Sequence, residues 1–491
     1  MTSDTFRAST KSVWPVATLI IAVLGVASNA TARGESPEGF AYVLLAPGAP
    51  DGSGGPLRAL ARVIIGEPQA RCPRLSPGGF PMAVRTNPNP ATFPVTVCEA
   101  IYPFDHALTV DGFGITLPTV PRRQPTAVVV IGDSGCLNDS QQDCATDWPF
   151  AALVRAAVNE HPDLVIHVGD YNYRGTPGKV GGEDVYDGCA TTKYVSQNPA
   201  DKPDSASWDT WKHWRDDFFK PAAPLTAKAA WVFARGNHEL CSRAGPGYFY
   251  FLDPHSSLLG HEPTRYQCPA QVNGGAPLSN LTFVPPYALA FDAGLTLLVM
   301  DSANACDTAD PVTSALSIYA AQFGQIQSLI RTPYAWVVGH RPIWAVAART
   351  AQVDCAEKPA DCLNATLQRA LAASPGGSLP ATVRLLVSGH MHLFQAFTFA
   401  TPGRPPQLVI GDGGVQLDSV PVPGFAAQNV DGQRGSGVQL RRFGFFNFGL
   451  SLTLATDGTW RGQLLDGSGV LAVCGPMGMT TTGSVCRLTG D

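Results

Sequence analysis

Five short apolar runs in this chain are each closed by a glycine beside an aspartate, asparagine or histidine: "VVVIGDSG", "VIHVGDYNY", "VFARGNHE", "WVVGHRP" and "LLVSGHMH". A continuous apolar run is what a strand looks like when other layers cover both its faces, and such strands pair in parallel through helical crossovers. Helix-like segments do intervene: "WPFAALVRAAVNEH", "SWDTWKHWRDDFF", "SIYAAQFGQIQSLIR" and "DCLNATLQRALAAS". The alternation predicts a layered α/β architecture. In such sheets ligands gather at the carboxyl ends of the strands, which is where the polar residues stand.

The flanks read differently. Residues 33–124 hold short apolar bursts between Pro- and Gly-rich turns, "AYVLLA", "ARVIIG" and "FPVTVCEAIYP", and predict a small N-terminal β-rich domain. The segment "TVPRRQPT" reads as a linker, residues 125–415 as the α/β domain that carries the five motifs, and 416–491 as a C-terminal β-rich extension that either completes the main sheet or forms its own module. Residues 1–32 have the pattern of a signal peptide: Arg7 and Lys11, an apolar stretch from Val13 to Ala27, then Ala30-Thr31-Ala32. That stretch is short of the roughly 20 residues a membrane span needs. An extracytoplasmic location, periplasmic or secreted, is therefore expected, without stable membrane insertion after cleavage. All twelve cysteines follow Ala32, and none forms a CxxC pair, so disulfides are expected rather than a zinc ribbon. Spacing makes Cys72–Cys98, Cys136–Cys144 and Cys474–Cys486 plausible local pairs. The net charge of −5 and the absence of a basic run give no footprint for nucleic acid, so an anionic substrate has to be held by a local site.

The strand ends supply Asp133, Asp170, Tyr171 or Tyr173, Asn237, His238, His340, His390 and His392, and with them four of the ten histidines. One such residue means little, because a strand-ending Gly-Asp is often only a turn. Five on one edge of one sheet are hard to assign to accident. Carboxylates, imidazoles, an amide oxygen and a phenolate suit iron, zinc or manganese.

These motifs resemble those of the calcineurin-like metallophosphoesterases and, among them, the purple acid phosphatases. Most of that superfamily opens with Asp-x-His, whereas this chain has Asp133-Ser134-Gly135 and lacks the histidine. Purple acid phosphatases instead supply a tyrosine three residues after the second aspartate, and "GDYNY" has Tyr173 there. The resemblance implies a metallophosphoesterase-type αββα sandwich. It further implies that Asp133, Tyr173 and His392 hold Fe(III), that Asn237, His340 and His390 hold a divalent ion (Fe, Zn or Mn), and that Asp170 bridges them, with Tyr171 left to packing. The activity implied is an exported phosphatase that hydrolyses phosphate monoesters by attack of a metal-bound hydroxide on a small phosphorylated substrate. A phosphodiesterase or nucleotide hydrolase on the same site is the alternative. His238 is then placed to touch the phosphate, to protonate the leaving oxygen or to support Asn237, with Glu239 orienting it. Arg235, Arg243 and Arg341 flank the motifs and either bind phosphate oxygens or serve as ion-pair partners. The text "GHRP" departs from the commoner purple-phosphatase wording, which leaves the substrate pocket open.

Three rivals compete with this reading. Ser134 in "GDSG" has the context of a serine nucleophile, but no aspartate has a histidine three residues on, and only His106 precedes it among histidines. A secreted metal-binding protein without activity would be expected to have lost a ligand, and none is lost. Asp412 in "VIGDGG" imitates the first motif but follows the last histidine pair, so it reads as a turn residue. Asp301 reads as a supporting residue rather than a ligand. Asn138, Asn280 and Asn364 each open a glycosylation-type triplet. The oligomeric state has no signature in the sequence.

Overall fold

The structure, a computed structural model, describes residues 38–49, 55–137, 142–174, 209–241, 243–262, 267–268, 282–307, 313–401, 403–419, 422–430, 432–448, 459–477 and 486–489, with the short strands Lys179–Val180 and Glu183–Asp184. The signal-type segment, Asn138 and Asn280 lie outside the described residues. Pro37–Asp491 forms one compact unit.

Each apolar run of the sequence becomes a fully buried strand. Val128–Ile131, Leu164–His167 and Ala230–Phe233 pair in parallel in one sheet. Leu295–Val299, Tyr334–Val338, Val383–Ser388 and Gln407–Ile410 do so in a second. Alternation of side chains along the strands divides the core into layers. Val128, Val130, Leu164 and Ile166 meet Leu297, Trp336, Leu385 and Leu408 in the layer between the sheets. On the outer face of the first sheet, Val129, Ile131, Val165 and Trp231 pack against Phe150, Leu153 and Val154 of the helix Phe150–Asn159. Against the second sheet, Leu298, Val337 and Leu386 pack on Phe323 and Ile326 of the helix Thr313–Leu329 and on Leu367 and Leu371 of Ala365–Ala373. The result is helix, sheet, sheet, helix: the αββα sandwich expected.

The flanking segments extend the same sheets. Gly39–Ala46 pairs in parallel with Ala230–Phe233 and continues to Arg58–Ile65 and Thr96–Ile101, while Phe445–Asn447 pairs with the other side of Val128–Ile131 and leads to Trp460–Asp466. The first sheet has eleven strands, so the site strands Val128–Ile131, Leu164–His167 and Ala230–Phe233 lie in its interior rather than at an edge. The three cysteine pairs chosen by spacing all form, joined by Cys241–Cys268 and Cys355–Cys362, and Cys306 is also disulfide-bonded.

Candidate metal centre

The five strand ends belong to two sheets, not to one edge of one sheet. Within each sheet the site strands run in parallel and share a carboxyl edge, and the two edges meet where Tyr173 reaches His392 and Asp170 reaches His340. Three of the residues just beyond these ends leave their strands in the left-handed region: Asp133 at φ 55°, Asp170 at 61° and His390 at 75°. A non-glycine residue held there costs of order 1–3 kcal/mol and persists where the surroundings over-determine it. The glycines beside the donors permit the crowding. A Cβ on Gly236 would fall 2.0 Å from Asp170 Oδ1, and one on Gly389 would fall 2.3 Å from Asp133 Oδ2.

Two sets of donors form around Asp170. In the first, the Tyr173 hydroxyl lies 3.0 Å from each of Asp133 Oδ1, Asp170 Oδ2 and His392 Nε2. In the second, His340 Nε2 lies 2.8 Å from Asn237 Oδ1 and 3.3 Å from Asp170 Oδ2. The ligand atoms of Asp170, His340 and His390 all fall within 4.8 Å of one another. Donors bound at about 2.1 Å to an octahedral ion stand roughly 3 Å apart, so these spacings match a coordination shell.

Proton counting points the same way. One phenolic proton cannot serve both carboxylates at Tyr173. His340 Nδ1 faces the Val168 carbonyl at 2.8 Å, which can only accept, so the proton sits on Nδ1 and Nε2 aims a lone pair at the carboxylate and amide oxygens. Burial lowers the His340 pKa and so keeps the ring neutral. Burial, reinforced by Asp170, pushes Asp133 well above the ordinary carboxylate range. Unshared lone pairs crowded in a buried site are what a cation resolves. The donor set therefore fits two metal ions.

Supporting groups complete the frame. The Glu239 carboxylate accepts from the backbone N–H groups of Asp170, Tyr171, Asn172 and Gly236 and so shapes the loop carrying Asp170 and Tyr173. The backbone of His238 donates to Asp170 Oδ1 at 2.8 Å, and its ring lies over Tyr173 with centroids 3.8 Å apart. His238 Nδ1 is buried with no hydrogen-bond partner among the described residues. Burial first, then the nearby Arg243 charge, holds the His238 pKa well below its usual value. Tyr171 points away into the core, stacked on His167 at 4.1 Å with its hydroxyl on the Ala234 carbonyl.

The three arginines divide. Arg243 stands beside His238. Arg235 is buried in a two-point pair with Asp301, 3.2 Å and 2.7 Å, and donates to the Thr282 carbonyl. Arg341 is buried and its Nη1 is paired with Asp307 Oδ2. Of the two roles the sequence leaves open for these arginines, ion pairing is the one seen at Arg235 and Arg341, whose guanidiniums are paired with Asp301 and Asp307. Ser134 is also committed: its Oγ meets His167 Nε2 at 2.8 Å. His167 Nδ1 accepts from the Gly169 N–H at 3.2 Å, so Nε2 bears the proton and donates to the serine, the reverse of a general base. Asn364 is buried, with its amide on Asp307 Oδ1 and the Ala305 carbonyl and its oxygen on the Leu367 N–H, so its triplet is a helix N-cap.

Sequence reasoning missed Asp307 and Asp418. Asp307 Oδ2 lies 2.7 Å from His390 Nε2, and Asp418 Oδ2 accepts from the His392 backbone N–H at 3.0 Å. Neither follows a site strand, so no strand-end pattern marked them.

The calcineurin-like phosphoesterase family model matches residues 126–394, more than half of the chain. The chain belongs to this family. Its fold is similar to that of a purple acid phosphatase from yellow lupin (Lupinus luteus) seeds, with 13% identity, 88% of this chain and 72% of that chain covered, and a TM-score of 0.49. No curated protein matches the sequence. The family makes this calcineurin-like phosphoesterase a metal-dependent hydrolase of phosphate esters, implies a binuclear centre, and points to small phosphorylated substrates. Among the described residues no helix is long and apolar enough to cross a membrane.

Proposed function

We propose that this phosphoesterase is an exported binuclear phosphatase of the purple acid phosphatase type, acting on phosphate monoesters. The observation that carries the proposal is the shared carboxylate: Asp170 Oδ2 stands 3.0 Å from the Tyr173 hydroxyl and 3.3 Å from His340 Nε2, one oxygen common to two donor sets. In this reading Asp133, Tyr173 and His392 hold one ion, Asn237, His340 and His390 the other, and Asp170 belongs to both. The phenol supports Fe(III) for the first, as a hard anionic donor, and Fe, Zn or Mn suits the mixed nitrogen and oxygen donors of the second. When bound, the pair supplies the Lewis acidity that activates water and neutralises charge on the transferred phosphoryl group.

The chain's own residues supply the rest. His238, fixed by its backbone bond to Asp170 and its contact with Tyr173, serves a phosphate oxygen or delivers a proton to the leaving oxygen. Arg243 beside it contributes positive potential toward the substrate. Glu239 keeps the Asp170 loop in register. Export is supported by the signal-type segment and by the absence of a free cysteine among the described residues.

A phosphodiesterase on the same centre is the second reading, favoured by the commitment of Arg235 and Arg341 to Asp301 and Asp307, because a monoester brings more phosphate charge to neutralise. Rates on p-nitrophenyl phosphate and bis(p-nitrophenyl) phosphate separate the two. The main proposal is tested by metal analysis and the visible spectrum of the purified protein and its Tyr173→Phe variant. Two metal equivalents and a visible band lost on substitution are expected. A colourless, metal-free protein with full activity would end the proposal.

A further inference from the structure

Asp307 occupies a junction that the ligand assignment leaves unused. Its Oδ2 meets both His390 Nε2, at 2.7 Å, and Arg341 Nη1, while Oδ1 accepts from Asn364 Nδ2 at 2.7 Å. Asn364 is fully buried and caps the helix Ala365–Ala373, so the carboxylate is anchored to a regular element. Arg341 is fixed in turn, its backbone N–H donating to Ser302 Oγ at 2.7 Å.

We propose that Asp307 is a positioning residue that sets the tautomer and orientation of His390 so that Nδ1, not Nε2, is presented to the second cation. The inference rests on the assignment of His390 as a ligand. A carboxylate beside a guanidinium is ionised and can only accept. Nε2 has two neighbours, the acceptor-only Asp307 Oδ2 at 2.7 Å and the donor-only Arg341 Nη1 at 3.1 Å. The carboxylate is the closer, and Nη1 has that same Oδ2 to donate to, so Nε2 carries the proton and donates to Asp307. The remaining lone pair is on Nδ1. The backbone closes the arrangement from the other side: the His390 N–H donates to Asp133 Oδ2 at 2.9 Å from a residue held at φ 75°. The imidazole is therefore gripped at its main chain by a carboxylate of one donor set and at its far nitrogen by Asp307. Arg341 keeps Asp307 charged and aimed, a structural task in place of direct phosphate binding. Outer carboxylates of this kind typically change metal affinity by about 10–100-fold.

The test measures Zn²⁺ binding to the chelator-treated full-length chain by calorimetry and metal analysis, for the wild type, Asp307→Asn, Asp307→Ala, Arg341→Met, the double variant Asp307→Ala/Arg341→Met, and His390→Ala. Asp307→Ala should weaken one of the two equivalents about 10–100-fold, with activity restored by excess Zn²⁺, a rescue that a purely structural lesion would not show. The double variant, which leaves no uncompensated buried charge, should remain weak, and near-isosteric Asp307→Asn should fall between it and the wild type. Wild-type affinity for both equivalents in the double variant and Asp307→Asn, with one equivalent lost in His390→Ala, would overturn the role of Asp307 alone. Both equivalents unchanged in His390→Ala would overturn the ligand assignment beneath it.

Discussion

Replacing Asp412 by Asn should make the protein progressively more stable than the wild type as pH rises from about 4 to 8. The side chain is fully buried just beyond the strand Gln407–Ile410, and neither carboxylate oxygen has a hydrogen-bond partner among the described residues. Burial pushes its pKa up to about 8. Between the unfolded pKa, near 4, and the folded value near 8, the native state holds a proton that the unfolded chain has lost, so wild-type stability falls as pH rises through that window. Below it both states are protonated and the effect vanishes, and above it the whole penalty applies. Each pH unit is worth at most about 1.4 kcal/mol, so the ceiling is on the order of 5 kcal/mol, and about 3 kcal/mol is expected by pH 6. Asn keeps the size and polarity but cannot ionise. Any fixed cost of a buried amide shifts the comparison uniformly, whereas the ionisation term appears only in its slope. Asp209, raised to about 7 by burial, titrates identically in both proteins and cancels. The measurement is urea unfolding of both proteins at closely spaced pH values and equal metal concentration. A difference that stays flat between pH 4.5 and 8 would refute the reasoning, since the carboxylate would then have a partner or an ordinary pKa.

Two further predictions follow from groups that the structure commits elsewhere. Arg235→Met strands the buried Asp301 and should cost about 3–5 kcal/mol in denaturant unfolding while KM for a phosphate ester stays within about twofold; a large rise in KM at unchanged stability would return Arg235 to the substrate. Ser134→Ala removes the acceptor of a buried His167 N–H and should cost about 1–3 kcal/mol with kcat nearly intact, whereas abolished turnover with metals retained would revive the serine-nucleophile reading.

The parts of this site that the sequence made readable are those whose geometry is local. Apolar runs report buried strands, and parallel strands share an edge, so the residues closing each run could be grouped before any contact was known. What was unreadable depends on partners far along the chain. Asp301 neutralises Arg235 across 66 residues, Asp307 reaches His390 across 83, and Asp418 reaches His392 from an irregular segment with no strand-end signature. Pairing of Gly39–Ala46 with Ala230–Phe233 is equally non-local, and a change in composition near residue 124 carries no information about it. The glycines connect the two kinds of evidence. In sequence, Gly236 and Gly389 look like turn formers, and a turn alone would explain them. In space, a methyl at either would strike a carboxylate oxygen of another strand's ligand, Asp170 or Asp133. Neither glycine has a positive φ, so close approach rather than backbone freedom is what requires them. Gly169 repeats the pattern against His340, whereas a methyl at Gly132 would meet Val168 and the Ile410 carbonyl, and one at Gly339 the Met300 carbonyl and Ser302. The glycine recurring at five strand ends therefore marks a crowded edge, and at three of the five the crowding is with a donor residue from another strand.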